Sequence, residues 1–228
     1  MPVNFDVEGL KSLVYVYSTQ EGIITCDTWE KIICKSVGGT HIPGDIFMSD
    51  GVKDTTGVNV KSILKKHTKG NIQTCSFVQC RCPLNETTNI GEGIIKTLVN
   101  KRQECFNEFG LDQMVDVIII HNRIGDNYNV RVFAEKQTEY EKLDLEWYGG
   151  NGYINPDKSK KKWEEDWKLK RNPGNASGFQ TCLFIKKVFD VNQCIANFTV
   201  KCDNNYDISM EDAKKRYADS LISGTLDT

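Results

Sequence analysis

The stretch "MVDVIIIHNRIGDNYNVRVFA" limits the fold more than any other part of the chain. Its apolar run from Val115 to Ile120 is nearly continuous instead of alternating, which is typical of a strand buried on both faces at the centre of a sheet. The residues after this run predict a second strand, so the whole stretch reads as a hairpin. The predicted fold is therefore built around a sheet with a buried central strand.

Ahead of this hairpin, the sequence predicts the order α-β-β-β-α-β. The stretches "CDTWEKIICKSVGG" and "IGEGIIKTLVNKRQECFNEFG" show helical spacing and end at glycines. Strand composition is found in "GDIFMS", "GVNVKSIL" and "IQTCSFVQCRC", and turn residues in "DGVKDTTG" separate the first two. This order predicts the α/β (α+β) class, with a mixed central β-sheet flanked by helices.

A second part follows the hairpin and completes a single predicted domain, residues 1–228. It begins with a loop-rich basic segment that ends near Gln180, then shows the strand patterns "TCLFIKKVF" and "CIANFTVKC" and the helical pattern "SMEDAKKRYADSLI". We place the core at about 20–135 and the basic elaboration at about 136–228.

Composition excludes several classes of protein. With 228 residues and 39% hydrophobic content the chain can bury a full core, and its formal net charge of −2 argues against a surface that is basic throughout. The N-terminus lacks the apolar region of a signal peptide and the nine cysteines are an odd number, so a reduced, cytoplasmic location is expected. No apolar run has the length of a membrane span, so no membrane partner is expected.

The cysteines do not show the spacing of a zinc site. Cys75, Cys80 and Cys82 stand close together in "CSFVQCRC", but the paired Cys-x-x-Cys arrangement of structural zinc sites is missing. We interpret the cysteines as small buried hydrophobic residues. Zinc binding is the alternative.

Polar residues interrupt the β-branched strand pattern "GVNVKSIL". Side chains alternate between the faces of a strand, so Asn59 and Lys61 project to one side while Val58 and Val60 project to the other. Asp45 begins the preceding strand pattern, which is expected to pair with this one. An Asp, an Asn and a Lys are therefore predicted to converge at one edge of a small sheet.

These three residue types fit the hydrolysis of a phosphodiester. Asp45 and Asn59 would supply a carboxylate and an amide oxygen to Mg²⁺, which prefers oxygen ligands and neutralises charge on the phosphoryl oxygens. Lys61 would hold the attacking water and stabilise the charge of the transition state.

The pattern resembles the PD-(D/E)xK nuclease superfamily, and within it the type II restriction endonucleases in which Asn replaces the second acid. Asp45, Asn59 and Lys61 match the motif, and Glu30 falls where some members carry a supporting carboxylate on a helix. The resemblance implies a restriction-endonuclease-like core and a site-specific deoxyribonuclease. Such an enzyme uses Mg²⁺ to cut double-stranded DNA into 5′-phosphate and 3′-hydroxyl ends.

Structural interpretations of the same residues stay open. Asp45 would then cap a turn, Asn59 and Lys61 would lie on a solvated face, and Glu30 would complete a capping box with Asp27 as the N-cap. Alternatives within the site are Asp50 and Asp54, which rival Asp45, and Gln79 and Arg81, which would extend the polar edge from the next strand. The alternative functions are a DNA-repair or resolvase-type nuclease and a non-catalytic nucleic-acid-binding module.

A basic segment indicates the partner. Between Lys158 and Arg171 the chain has seven Lys and Arg residues against three acids, interleaved with Trp163 and Trp167. Such charges neutralise phosphates, and Asn and Gln read base edges. The alternative is an amphipathic helix with both tryptophans packed inward. The expected partner is double-stranded DNA, and whether the chain also pairs with a second copy of itself as a homodimer is left open. The candidate DNA contacts are Lys160, Lys161, Lys162, Lys170, Arg171, Asn172, Asn175 and Gln180.

The basic segment generates a first prediction. Replacing Lys160, Lys161 and Lys162 together by Ala should weaken binding to all DNA sequences alike, because phosphate contacts carry no sequence information. The slope of log affinity against log salt should become flatter by about one unit per lost contact. Filter binding at several salt concentrations measures the slope, and an unchanged slope would assign these lysines to a solvated face.

Overall fold

A computed structural model gives the fold of the chain. It describes residues 3–43, 49–65, 72–83, 90–137, 139, 153–154, 165–172, 180–202 and 207–223. Within these ranges, residues 72–83, 90–98, 153–154, 165–172, 180–187 and 221–223 are described by their backbone.

The described residues form four helices and ten strands. The helices are α1 (Val7–Glu21), α2 (Cys26–Ser36), α3 (Ile90–Phe109) and α4 (Met210–Ser223). The strands are β1 (Thr40–His41), β2 (Gly51–Lys53), β3 (Thr56–Leu64), β4 (Ile72–Pro83), β5 (Gln113–Ile124), β6 (Asn127–Lys136), β7 (Tyr153–Ile154), β8 (Glu165–Asn172), β9 (Gln180–Asp190) and β10 (Ala196–Lys201).

Six of these strands form a mixed sheet in the order β1-β2-β3-β5-β6-β10. The pair β3 and β5 is parallel, and the other pairs are antiparallel. β5 lies inside the sheet, and its residues Val115 to Ile120 are between 0 and 3% exposed. The predicted central, doubly buried strand is confirmed, and so is the α+β class with a mixed sheet flanked by helices.

Alternation along β3 and β5 separates two faces, and the apolar face toward the helices is formed by valines. Val58 and Val60 of β3 and Val115 and Val117 of β5 join one core cluster with Trp29 of α2. Burial of such side chains contributes roughly 1.5–3 kcal/mol each, and this is the main force that holds the helices on the sheet. The residues between these valines therefore lie on the face that points away from α1 and α2.

The C-terminal elements complete the same core. β10 pairs with β6, and the ring centroids of Tyr15 in α1 and Tyr217 in α4 are 5.4 Å apart. On the other face of the sheet, Phe133 of β6 packs on Phe189 near the end of β9 at 4.9 Å. The last part of the chain is thus integrated with the sheet that carries β3 and β5.

A second, antiparallel sheet has the order β4-β9-β8-β7. Residues 165–172 are a strand of this sheet, so both the loop and the amphipathic helix expected there are wrong. Long-range pairing with β9 overrides the helical spacing of the local sequence, because a strand's stability depends on its neighbours. β4 pairs with β9 and not with β3, so Gln79 and Arg81 do not stand on a strand beside Lys61 in the first sheet.

Three further local expectations are corrected. α1 was not expected from the sequence, and it begins with Asp6 as N-cap, whose carboxylate accepts a hydrogen bond from Gly9 N. The N-cap of α2 is Thr25 and not Asp27, so Glu30 is not part of a capping box there. The stretch 50–57, expected as a turn, contains β2 and a tight turn at Asp54, where φ is 53°.

The other predicted elements are confirmed with small shifts of their ends. These are α2, α3, α4, β3, β4, β9, β10 and the hairpin of β5 and β6. Gly110 follows α3 with a φ of 61°, the left-handed conformation that favours glycine after a helix. The predicted strand that begins at Asp45 falls on residues 44–48, which lie outside the described residues.

The central position of β5 generates a stability prediction. Ile119→Ala should lower the free energy of unfolding by about 2–5 kcal/mol, because Ile119 is 0% exposed and its loss leaves a cavity. Ile124→Ala is the matched control on the same strand, since Ile124 is 54% exposed, and its effect should be within about 0.5 kcal/mol. Urea unfolding measures both, and equal effects would contradict the central placement of Ile119.

Candidate active site

The candidate site lies at the edge of β3, where β2 no longer pairs with it. Asp50 immediately precedes β2, and its backbone N donates to Val58 O at 2.9 Å. Its carboxylate Oδ2 accepts a hydrogen bond of 2.5 Å from Val60 N. Asp50 is therefore held opposite Asn59, with its carboxylate in the place that a continuing strand would occupy.

A short polar turn fixes this position. Ser49 Oγ accepts a hydrogen bond from Val58 N at 3.0 Å, and Ile42 N donates to Asp50 O at 2.9 Å. These contacts anchor the chain on both sides of Asp50. The carboxylate is thus placed by hydrogen bonds with the backbone of Ile42, Val58 and Val60.

Asn59 lies on the polar face of β3 and is only 3% exposed. Its Nδ2 donates to Asp116 Oδ1 at 2.6 Å, and Gln137 Nε2 donates to the same oxygen at 3.1 Å. Asp116 and Gln137 are also buried, at 3% and 4% exposure. The solvated face considered for Asn59 is therefore not what the structure shows.

Lys61 is partly buried, two residues along β3 from Asn59. Burial raises the pKa of Asp50 above its ordinary value, and the nearby Lys61 ammonium, the Val60 N–H and His41 lower it again. The charge of Asp116 raises it further. Lys61 is therefore close enough to Asp50 to stabilise its ionised form.

Glu30 and His41 lie near Asp50. His41 Nε2 lies 3.5 Å from Glu30 Oε2, and their side chains are 22% and 26% exposed. Burial and then the charge of Asp50 raise the pKa of Glu30, while the neighbouring His41 imidazole and the charge of Lys61 lower it. Glu30 on α2 thus faces the charged groups of β1 and β3.

The structure distinguishes between Asp50 and Asp54, the two alternatives to Asp45 as the carboxylate of the site. Asp54 is 79% exposed at the hairpin turn, and its carboxylate lies 3.4 Å from the ammonium of Lys53. Asp50, in contrast, lies near Lys61, whose charge lowers the pKa of its carboxylate. Asp45 itself lies outside the described residues.

Two residues of this group were missed in the sequence. Asp116 interrupts the apolar run of β5, and an ionisable residue in a strand buried on both faces is a signal that could have identified it. His41 has no such signal, because only the pairing of β1 with β2 brings it to Glu30 and Asp50.

The candidate DNA contacts are only partly placed. Lys170, Arg171 and Asn172 end β8, and Asn172 is the register partner of Gln180 at the start of β9. The remaining candidates, Lys160, Lys161, Lys162 and Asn175, lie outside the described residues.

The donor set at the site fits magnesium. A carboxylate from Asp50 and an amide oxygen from Asn59 are the oxygen ligands that Mg²⁺ takes, and this ion keeps several waters and needs only one or two protein carboxylates. Within the described ranges, no three His, Cys, Asp or Glu side chains are grouped as metal ligands.

Two general findings complete this description. None of the helices in the described parts of the chain is long and apolar enough to cross a membrane. The chain matches no model of a known protein family, no curated protein and no solved structure.

The raised pKa of Asp50 generates a prediction about stability. The folded protein binds the Asp50 proton more tightly than the unfolded chain does. This contribution to stability is complete below the ordinary pKa of 3.8 and is lost as the pH rises through the folded-state pKa. Asp50→Asn removes the buried charge and should raise the free energy of unfolding at pH 7 relative to the parent.

The matched control for this prediction is Asp54→Asn in the same hairpin, which should leave the free energy of unfolding unchanged because Asp54 is 79% exposed. Urea unfolding at pH 4 and pH 7 measures both variants. A lower stability of Asp50→Asn at pH 7 would show that the ionised carboxylate stabilises the fold, contrary to its raised pKa.

Proposed function

We propose that this chain is a Mg²⁺-dependent endonuclease that cuts double-stranded DNA at specific sites. The single observation that carries the proposal is the group formed by Asp50, Asn59 and Lys61 at the edge of β3. A carboxylate, an amide oxygen and an ammonium at one strand edge are what phosphodiester hydrolysis needs, and they are otherwise costly to bury together.

Each residue has a role in the proposed reaction. Asp50 and Asn59 would hold Mg²⁺ through their oxygens, and the ion would supply positive charge to the phosphoryl oxygens as they become more negative. Lys61 would donate a hydrogen bond to the attacking water and keep it in line with the phosphorus. Glu30, close to Lys61 and Asp50, would hold the Lys61 ammonium in place.

The second sheet supports DNA as the substrate. Lys168, Lys170 and Asn172 alternate along β8 and so take positions on one face of it. On the same face of β9, Lys186 is the register partner of Asp166, and Gln180 is the register partner of Asn172. A sheet face with this excess of basic and amide residues is suited to contacts with phosphates and base edges.

Site-specific cutting is the preferred form of this activity. A nuclease that ignores sequence needs little beyond its catalytic core, whereas this chain adds a whole sheet with base-reading residue types. A restriction-endonuclease-like core, a cytoplasmic location and a homodimer are part of the same proposal. The alternatives are a DNA-repair or resolvase-type nuclease and a non-catalytic nucleic-acid-binding module.

A digestion experiment tests the activity directly. The purified chain is incubated with plasmid and phage DNA in Mg²⁺, in Mn²⁺ and in EDTA. Discrete bands that require the metal are expected, because the charge of the ion is needed in the transition state. A smear would indicate a nonspecific nuclease, and intact DNA with a gel shift would indicate the binding module.

The role of Lys61 generates the sharpest prediction for this proposal. Lys61→Ala should slow cleavage by roughly 10²–10³-fold or more through the loss of water positioning and charge stabilisation. DNA binding without Mg²⁺ should stay close to that of the parent, because a single lysine at the strand edge contributes little to it. Single-turnover cleavage rates and gel shifts measure the two effects.

Lys53→Ala is the matched control for Lys61→Ala. Lys53 belongs to the same hairpin, is 38% exposed and pairs with Asp54 at the turn, so its loss should leave cleavage unchanged. Both variants must melt at the temperature of the parent, because a destabilised protein would also lose activity. If Lys61→Ala cuts as fast as Lys53→Ala, Lys61 has no part in catalysis and the proposed nuclease site is wrong.

A further inference from the structure

We infer that Asp116 is a positioning residue of the metal site, a second carboxylate that acts on the cation through Asn59. The inference rests on the proposed function in so far as Asn59 is taken as a ligand of Mg²⁺. It extends that function to a residue on a different strand.

The parallel pairing of β3 and β5 brings the two residues together. Asn59 and Asp116 are register partners in this pairing, and both are 3% exposed. Asn59 Nδ2 donates to Asp116 Oδ1 at 2.6 Å. Charge-assisted hydrogen bonds of this length are stronger than neutral ones, so the contact holds the Asn59 side chain in one orientation.

The same contact decides which end of the amide is available to a cation. A carboxylate accepts hydrogen bonds, so the amide group must present its N–H to Asp116 and not its oxygen. Oδ1 then lies at the other end of the planar amide, turned away from Asp116. A carbonyl oxygen is the end of Asn that can bind Mg²⁺.

Asp116 also supplies the negative charge that an Asn ligand lacks. Asp116 pairs with Asn59 on one side of β3, and Asp50 lies opposite Asn59 on the other side. Two carboxylates that repel each other across Asn59 both gain when a cation binds near them. The site therefore combines a neutral ligand on β3 with a charge on β5 and keeps a net attraction for Mg²⁺.

Gln137 contacts the same oxygen of Asp116 as Asn59 does. Its Nε2 donates to Asp116 Oδ1 at 3.1 Å, and the side chain is 4% exposed. Its Oε1 is buried and has no hydrogen-bond partner among the described residues. Gln137 thus helps to hold the carboxylate that Asn59 contacts. The control position is Gln113 of β5, whose Nε2 donates to Thr56 Oγ1 of β3 at 3.0 Å.

The test measures Mn²⁺ binding to the full chain without DNA, by electron paramagnetic resonance of the free ion. Asp116→Asn should weaken Mn²⁺ binding by roughly 10–100-fold, the usual effect of removing the partner of a metal ligand. Gln113→Met removes the side-chain hydrogen bond to Thr56 across the same pair of strands and should lower stability, yet it should leave Mn²⁺ affinity unchanged. An equal loss in both variants, or none in Asp116→Asn, would overturn the inference.

A charge exchange keeps the test decisive if Asp116→Asn does not fold. The double variant Asn59→Asp with Asp116→Asn moves the carboxylate from β5 to β3 and retains one amide and one charge. It should fold and bind Mn²⁺ within about tenfold of the parent, because the contact and net charge are preserved. Asn59→Asp alone places two carboxylates in contact and should be less stable than the double variant. A folded double variant without Mn²⁺ binding would overturn the inference.

Cleavage is measured separately, so that two failures can be told apart. A parent protein that binds Mn²⁺ in an Asp116-dependent way but cuts no DNA would contradict the nuclease proposal and leave the cation site standing. A parent that cuts DNA with Mg²⁺ while Asp116→Asn keeps its full Mn²⁺ affinity would contradict only the role of Asp116. A parent that binds no Mn²⁺ would overturn the inference altogether.

Discussion

The parallel pairing of β3 with β5 is the constraint on which the rest of the structure depends. It places two strands side by side in the interior of the sheet, with valines toward α1 and α2 and with Asn59 and Asp116 on the other face. One register step would move Asn59 away from Asp116, because side chains alternate along a strand. The apolar core that fixes this register therefore also fixes the candidate site.

The candidate site buries several charged side chains, which is unfavourable unless partners stabilise them. Asp50, Glu30 and Asp116 lie in partly or fully buried positions, where a carboxylate is stable only with donors or cations nearby. Lys61, His41 and the Val60 N–H stabilise the ionised form of Asp50, but burial still raises its pKa. Unfavourable charges of this kind are typical of functional sites, where a bound cation would offset the repulsion.

The second sheet and the candidate site are connected by a short stretch of the chain. β9 leads through a short 3-10 turn, Val191–Gln193, into β10, which pairs with β6. The contact of Phe133 with Phe189 links the same two regions. A DNA contact on β8 and β9 would thus be linked to the sheet that carries Lys61 in two ways, through the chain from β9 to β10 and through the packing of Phe189 on Phe133.

The local pattern of the chain by itself determined the class of fold, the doubly buried strand β5 and the polar edge at Asn59 and Lys61. These are properties of residue periodicity, which short-range sterics and burial translate directly into strands and helices. Asp116 was visible as an interruption of an apolar run, but its partner was not. The tertiary structure alone decided that Asp50 lies near Lys61, that Asn59 faces Asp116, and that residues 165–172 form a strand. Each of these depends on pairing between segments far apart in the chain, and strand pairing is set by the neighbouring strand and the shared core, which no local pattern contains.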